Sequence, residues 1–204
     1  MNREKNLIKN TLILSIGNIF TKLVTFFLLP LYTAVLSTKE YGIVDLLNTL
    51  VSIFLPVVTF QIEQAVFRNL LDTRENNEIK KEIITTSFFT IVIQCLCYII
   101  IFVFLSLFIH NEYKWFLVIN LFFYIFSSLF QQISRGFGDN KTYSISGFIS
   151  AMFTIIFNIL FIVKFKFGAY GMLIGTAIGQ AVCVIYIVLK LKIYKYINYK
   201  YYNK

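Results

Sequence analysis

Charge is scarce in this chain, and the places where it is missing matter most. Residues 83–109, 115–134, 142–163 and 167–189 contain no Asp, Glu, Lys or Arg. Charged residues make up 14% of the total, against roughly 25% in a soluble globular domain. A water-facing surface cannot be assembled from so few, which excludes a soluble domain. Histidine occurs once, at His110 in a short polar connection. A lone loop histidine reads as solvated, and it excludes the paired imidazoles of many metal sites. The three cysteines, Cys95, Cys97 and Cys183, all fall in uncharged segments. Cys95 and Cys97 are two apart, which turns them to different faces of a helix. They read as small apolar residues, not as a redox or metal pair. A glycine-rich phosphate loop, an H-E-x-x-H pair and a nucleophile elbow are all missing. With them goes any support for an enzyme, a metal or a cofactor. Proline occurs only at Pro30 and Pro56, both inside apolar stretches, where it kinks a helix.

What remains is apolar. Hydrophobic residues are 58% of the 204 and the mean hydropathy is +0.74. The chain reads as six apolar segments, approximately residues 7–36, 42–67, 83–109, 115–134, 143–163 and 169–189. Each suffices to cross a bilayer as a helix, which takes about 20 residues. Connections of a few residues imply antiparallel neighbours, hence an up-and-down bundle forming one domain over 1–204. The first segment is basic and then apolar, like a signal peptide. It is too long for one, carries Asn18 and Lys22, and has no small-x-small cleavage site. It is expected to stay as the first helix.

The basic residues set the orientation. Alternate connections hold Arg3, Lys5 and Lys9; Arg68, Arg74, Lys80 and Lys81; Arg135 and Lys141; and Lys190, Lys192, Lys195, Lys200 and Lys204. The other connections hold only Lys39, Lys114, Lys164 and Lys166, so the ratio is 14 to 4. Short loops rich in Lys and Arg stay in the cytoplasm. Both termini are therefore expected inside. The net charge of +9 flanks apolar spans instead of forming a stripe on a soluble face, which excludes nucleic acid as the partner. Anionic lipid head groups are the expected contacts. The tail, residues 190–204, is basic and rich in tyrosine, and reads as a cytoplasmic segment lying on the inner leaflet.

Polar residues recur at helical spacing within the spans. The first carries Thr11, Ser15, Asn18, Lys22 and Thr25 on one face. The second carries Asp45, Asn48 or Thr49, Ser52, Pro56, Thr59 and Glu63. The fourth carries Asn120, Tyr124, Ser127 or Ser128, Gln131 and Arg135, and the fifth Ser146, Ser150, Thr154 and Asn158. Hydrogen bonding between helices accounts for scattered Ser and Thr. It accounts poorly for Lys22, Asp45 and Glu63, since a charge near the bilayer centre costs at least about 2.5–3.5 kcal/mol. The stripes are expected to face a shared water-filled interior. Lys22 lies near mid-depth, and a structural ion pair with Asp45 or Glu63 stands as the alternative to a functional role. In the sixth span Gly171, Gly175 and Gly179 form a ridge that lets helices pack backbone to backbone.

Three stretches carry a family resemblance. Asn10-Thr11 is followed by Phe26-Phe-Leu-Leu-Pro30-Leu-Tyr32-Thr33. Next comes Leu36-Ser-Thr-Lys-Glu40-Tyr41-Gly42-Ile-Val-Asp45-Leu46. The third is Ile62-Glu63-Gln-Ala65-Val-Phe-Arg68. Their order and spacing resemble the start of the polysaccharide flippases in the MATE-like multidrug/oligosaccharidyl-lipid/polysaccharide exporter superfamily; the later helices match by topology. The resemblance implies an all-α membrane protein forming one six-helix lobe of a two-lobe transporter in the bacterial inner membrane. It implies movement of undecaprenyl-diphosphate-linked oligosaccharide from the inner to the outer leaflet during surface polysaccharide biosynthesis. Lys22, Arg68 and Arg135 would meet the diphosphate, Ser15 and Asn18 the glycan, and Asp45 and Glu63 a coupling ion. This chain holds the N-terminal half only, so the second lobe is expected from another copy or chain. A cation-coupled multidrug-type exporter and a non-transporting truncated subunit are the competing expectations.

Overall fold

The computed structural model describes residues 28–73 and 76–201, together with 15, 19, 22, 23 and 26. It contains helices and connecting turns, with no strand among the described residues. Helix α1 comprises the described residues up to 35. It is followed by α2 (Thr38–Thr59), α3 (Ile62–Asp72), α4 (Asn77–Ser106), α5 (Lys114–Gly136), α6 (Asn140–Asn158, continued by a π-helical turn Ile159–Lys164) and α7 (Ala169–Leu191). Among the described residues five helices are long and apolar enough to cross a membrane: α2, α4, α5, α6 with its π turn, and α7.

Local chemistry sets the helix starts. Ser37 and Glu40 form a reciprocal capping box on α2. The Ser37 Oγ accepts from the Glu40 N–H at 3.3 Å, and Glu40 Oε2 accepts from the Ser37 N–H at 3.0 Å. Asn76 Oδ1 accepts from the N–H groups of Glu78 and Ile79 at the start of α4. Asp139 Oδ1 accepts from the Thr142 N–H at the start of α6. Each such cap stabilises by about 1 kcal/mol.

The second span departs from the sequence expectation of one helix over 42–67. It starts at Thr38 and breaks at Phe60 and Gln61, both left-handed with φ of 47° and 54°. Pro56 has already removed one rung of the backbone ladder. The Thr59 hydroxyl then donates to the Leu55 carbonyl at 2.9 Å and accepts from the Gln61 N–H at 3.2 Å. These side-chain bonds satisfy groups that the helix end leaves free. Beyond the break, α3 buries Glu63, Val66 and Leu70 and exposes Arg68, Asn69 and Asp72.

The core is built on α5, whose Leu117, Leu121, Ile125, Leu129 and Ile133 recur every four residues and are buried. Helix α1 docks separately, through Leu28, Tyr32 and Leu36 against Ile162. The outward face of α4, at Ile100 and Phe104, is apolar and exposed, as is Phe108 just beyond its end, as lipid contact requires. The tail does not lie free on the leaflet. Ile193 is buried, the Thr85 hydroxyl donates to the Tyr196 carbonyl at 3.0 Å, and Tyr196 meets Phe137 at 5.3 Å.

The connections sort to two ends. Arg135 with Phe67 and Tyr143, Lys80 with Phe137, and the tail with Glu78 and Thr85 gather at one. Ser37–Glu40, His110–Tyr113 and Gly168–Tyr170 gather at the other. The basic end is the inner one under the rule that Lys- and Arg-rich loops stay inside. Asn77→Cys is accordingly expected to react with a membrane-impermeant maleimide only after cells are opened; labelling of intact cells would invert the orientation.

Candidate functional site

The surface that matters runs along α1 and α2. Ser15, Ile19, Lys22, Leu23 and Phe26 are all exposed on α1. Ile19, Lys22, Leu23 and Phe26 line an open groove of about 420 Å³. The groove is almost wholly hydrocarbon, with the Lys22 ammonium as its charged group. At 1.5 Å per residue, Lys22 lies about 20 Å along α1 from residue 35, which puts it inside the span. Among the described residues no ion pair joins Lys22 to Asp45 or Glu63. Asn18 lies outside the described residues.

On α2 the exposed face divides in two. Asp45, Thr49 and Ser52 form one stripe, and Leu46, Ile53 and Val57 form another beside it. At 100° per residue the two stripes are about a quarter-turn apart. An apolar stripe belongs against lipid. A polar one on the same helix needs another cover.

Glu63 is not on that polar face. Because α2 breaks at Phe60–Gln61, Glu63 falls in the first turn of α3 and turns inward. It is 4% exposed, and its Oε2 has no hydrogen-bond partner among the described residues. Asp45 and Glu63 are not brought together either. Fourteen residues of α2 separate Asp45 from Thr59, about 21 Å of helix.

Arg68 is exposed on α3. Arg135 is engaged. Its guanidinium stands 4.4 Å from the centre of the Phe67 ring and 5.4 Å from that of Tyr143, and it donates to Gln132 Oε1 at 2.9 Å. It thereby joins α3, α5 and α6. Cation–π contacts of this kind contribute roughly 0.5–2 kcal/mol. Held between two rings, Arg135 acts as a joint at the basic end of the bundle.

The polar stripes of α5 and α6 turn out to hold the bundle together. The Ser127 hydroxyl donates to Gln180 Oε1 at 2.6 Å, and Gln131 Nε2 donates to Cys183 Sγ at 3.3 Å. Ser146, Ser150 and Asn158 are buried, and the Asn158 amide donates to the Tyr32 hydroxyl. The expectation of four wet faces therefore fails for these two helices. Ser127 and Gln131 find partners on α7 and Asn158 on α1, while Asn120 and Ser146 donate to carbonyls of their own helices, which is less costly than exposure to hydrocarbon.

The glycine ridge explains how. A Cβ on Gly175 would collide with the Asn158 side chain. One on Gly179 would collide with Thr154 and come within 2.8 Å of the Ser150 carbonyl oxygen, and one on Gly171 would sit 3.0 Å from Phe161 Cβ. The row Ser150, Thr154, Asn158 thus lies in the groove that Gly171, Gly175 and Gly179 leave open. Both rows have a four-residue spacing, and that shared period was the signal linking them. Tyr32 and Gln180 were missed as partners because nothing in their own segments marks them. Among the described residues no group of three His, Cys, Asp or Glu gathers to hold a metal.

An all-helical bundle with these spans and this cation-bearing outer face defines a multi-pass membrane protein resembling one lobe of a transporter. Two crystal structures share the fold: MATE in complex with MaD3S, at 15% identity and a TM-score of 0.65, and a proline-to-alanine mutant of MATE, at 18% and 0.61. The matches cover 94% and 93% of this chain but 46% and 47% of those chains, so it spans about half their length. The chain belongs to the polysaccharide biosynthesis protein family, whose sequence profile matches residues 7–203. No curated protein sequence matches it.

Proposed function

We propose that this chain is one lobe of a flippase for lipid-linked oligosaccharide, acting in a bacterial inner membrane during polysaccharide biosynthesis. The observation that carries the reading is the α1 groove. An ammonium at mid-depth among Ile19, Leu23 and Phe26 suits a ligand that joins an anion to hydrocarbon. An undecaprenyl diphosphate is such a ligand: the diphosphate pairs with Lys22 and the prenyl chain lies along the apolar walls. Ser15 on α1 and Thr49 and Ser52 on α2 offer hydroxyl partners to the glycan, and Arg68 offers a second cation at the basic end. Asn18, three residues after Ser15 and four before Lys22 in the sequence, is a further amide partner for the glycan, and Asp45 is the open carboxylate for a coupling ion. A cation-coupled multidrug-type exporter is the second reading. Asp45 favours it, and Lys22 in the groove argues against it, since a cationic drug would be repelled.

The polar faces of α1 and α2 need covering in hydrocarbon, where each exposed polar group costs several kcal/mol. A second six-helix lobe, from another copy or another chain, supplies that cover. The chain alone is therefore expected not to flip substrate as a monomer. The check is reconstitution in vesicles with fluorescent undecaprenyl-diphosphate oligosaccharide, the size of the species being read by native mass spectrometry. A monomer that moves the lipid between leaflets would overturn the half-transporter reading.

A further inference from the structure

The end opposite the basic one carries a second cavity, apart from the α1 groove. Three connections build it. The capping box of α2 holds Lys39 and Glu40 on one wall, with the Glu40 carboxylate also packed against Gly168. The opposite wall is the turn between α4 and α5. The Lys114 ammonium closes that turn by donating to the carbonyls of Ser106 at 2.8 Å and Ile109 at 3.0 Å, and Asn111 Oδ1 accepts from the Tyr113 N–H at 2.8 Å. The Tyr113 ring lies 4.6 Å from that of Tyr170, and Tyr170 packs in turn on Phe116 at 5.6 Å. The Tyr170 hydroxyl donates to Glu112 Oε2 at 3.5 Å. Between the walls is an open cavity of about 360 Å³ lined by Lys39, Glu40, Ile43 and residues 110–113.

The chemistry of these groups narrows the occupant. A metal ion is disfavoured because no three ligating side chains gather there. A phosphate is disfavoured because two carboxylates face one lysine. A hydrocarbon is disfavoured because the lining mixes carboxylate, amide, imidazole and ammonium. Those groups together donate and accept hydrogen bonds in several directions. They surround an aromatic ring whose face is apolar. Burial, then Tyr170, then the negative charge of Glu40 and Glu112 hold the Tyr113 phenol above its ordinary pKa. A ring of hydroxyls with one apolar face is the ligand such a site takes, and the volume sits at the small end of ligand pockets.

We infer that the cavity between Lys39–Glu40 and His110–Tyr113 binds a neutral saccharide, as an exit subsite for the glycan delivered from the other leaflet. The inference rests on the flippase reading for its biological sense, but its test is equilibrium binding and needs no transport. Binding is read by isothermal titration calorimetry, because Trp115, the sole tryptophan, packs on Phe102 and does not line the cavity. The full chain in lipid nanodiscs is titrated with lactose and with N,N′-diacetylchitobiose, with sodium phosphate and calcium chloride as separate arms. A saturable change with at least one disaccharide is expected, weakened at least tenfold in His110→Ala and in Glu112→Gln, and absent with phosphate or calcium. Both side chains are exposed, so neither variant threatens the fold. No saturable change with either sugar would overturn the inference. So would a change that both variants retain, or one produced equally by phosphate or calcium. Sugar binding by a chain whose deletion leaves glycan export in cells normal would leave the exit subsite standing and remove the flippase reading; lost export with no sugar binding would do the reverse.

Discussion

Lys22→Ala is expected to abolish glycan export in a complementation assay, whereas Lys22→Arg retains part of it. The ammonium is the charged group of the α1 groove, and among the described residues it forms no ion pair with Asp45 or Glu63. A charge kept inside a membrane span at a cost of at least about 2.5–3.5 kcal/mol needs a compensating partner. On the flippase reading a diphosphate would supply it by charge-assisted hydrogen bonds. Alanine removes the cation and leaves the groove wholly apolar. Arginine keeps the charge but presents a planar fork in place of a compact ammonium, so its export falls without vanishing. The effect belongs to function and not to folding, because Lys22 is exposed and outside the buried cores. Equal membrane levels of the three proteins on an immunoblot make that distinction. Normal export by Lys22→Ala at normal expression would assign Lys22 a structural role or none.

Gly175→Leu is expected to leave little folded protein. Even a methyl group at this position would meet the Asn158 side chain, with the Asn158 backbone nitrogen 3.0 Å away. Asn158 has no room to retreat: it is fully buried and its amide is bonded to Tyr32. Overpacking a core by a few methylenes usually costs about 1–3 kcal/mol. Here the larger side chain also separates α6 from α7 and breaks the α1–α6 hydrogen bond, so the loss falls at or above the top of that range. Gly175→Ala is expected to be milder but still destabilising. Gly42→Ala is the control. Nothing lies within 4 Å of its Cβ position, so it gains helix propensity of up to about 1 kcal/mol. Thermal unfolding followed by size-exclusion fluorescence ranks the three. A Gly175→Leu protein melting with the native one would show that the ridge is not a close contact.

The order of the spans and their alternating charge were legible in the sequence because both are local properties. A segment of 20 or more uncharged residues has few alternatives to a membrane helix, whatever surrounds it. The ridge at Gly171, Gly175 and Gly179 was legible for the same reason: it is one residue type at one period. The polar stripes were legible only as stripes. Helical spacing of polar residues in α1 and in α6 led to opposite fates, Lys22 open on the surface and Asn158 buried against Tyr32. Periodicity says that residues share a face. Which face a helix turns inward depends on what its neighbours present.

Composition and spacing by themselves determined that this is a helical membrane protein, which connections share an end, and which charges are costly enough to call for a partner. They could do so because hydropathy and charge act on each segment separately. The tertiary structure alone decided that the second span breaks at Phe60–Gln61 and so buries Glu63. It alone decided that Arg135 is held between Phe67 and Tyr143, and that the α5 and α6 stripes bind the bundle while Ser15 and Lys22 of α1 and Asp45, Thr49 and Ser52 of α2 remain open. Each of these depends on groups far apart in the chain meeting in space. In a bilayer a polar atom goes wherever a partner exists, and the partner's position is a property of the packed fold.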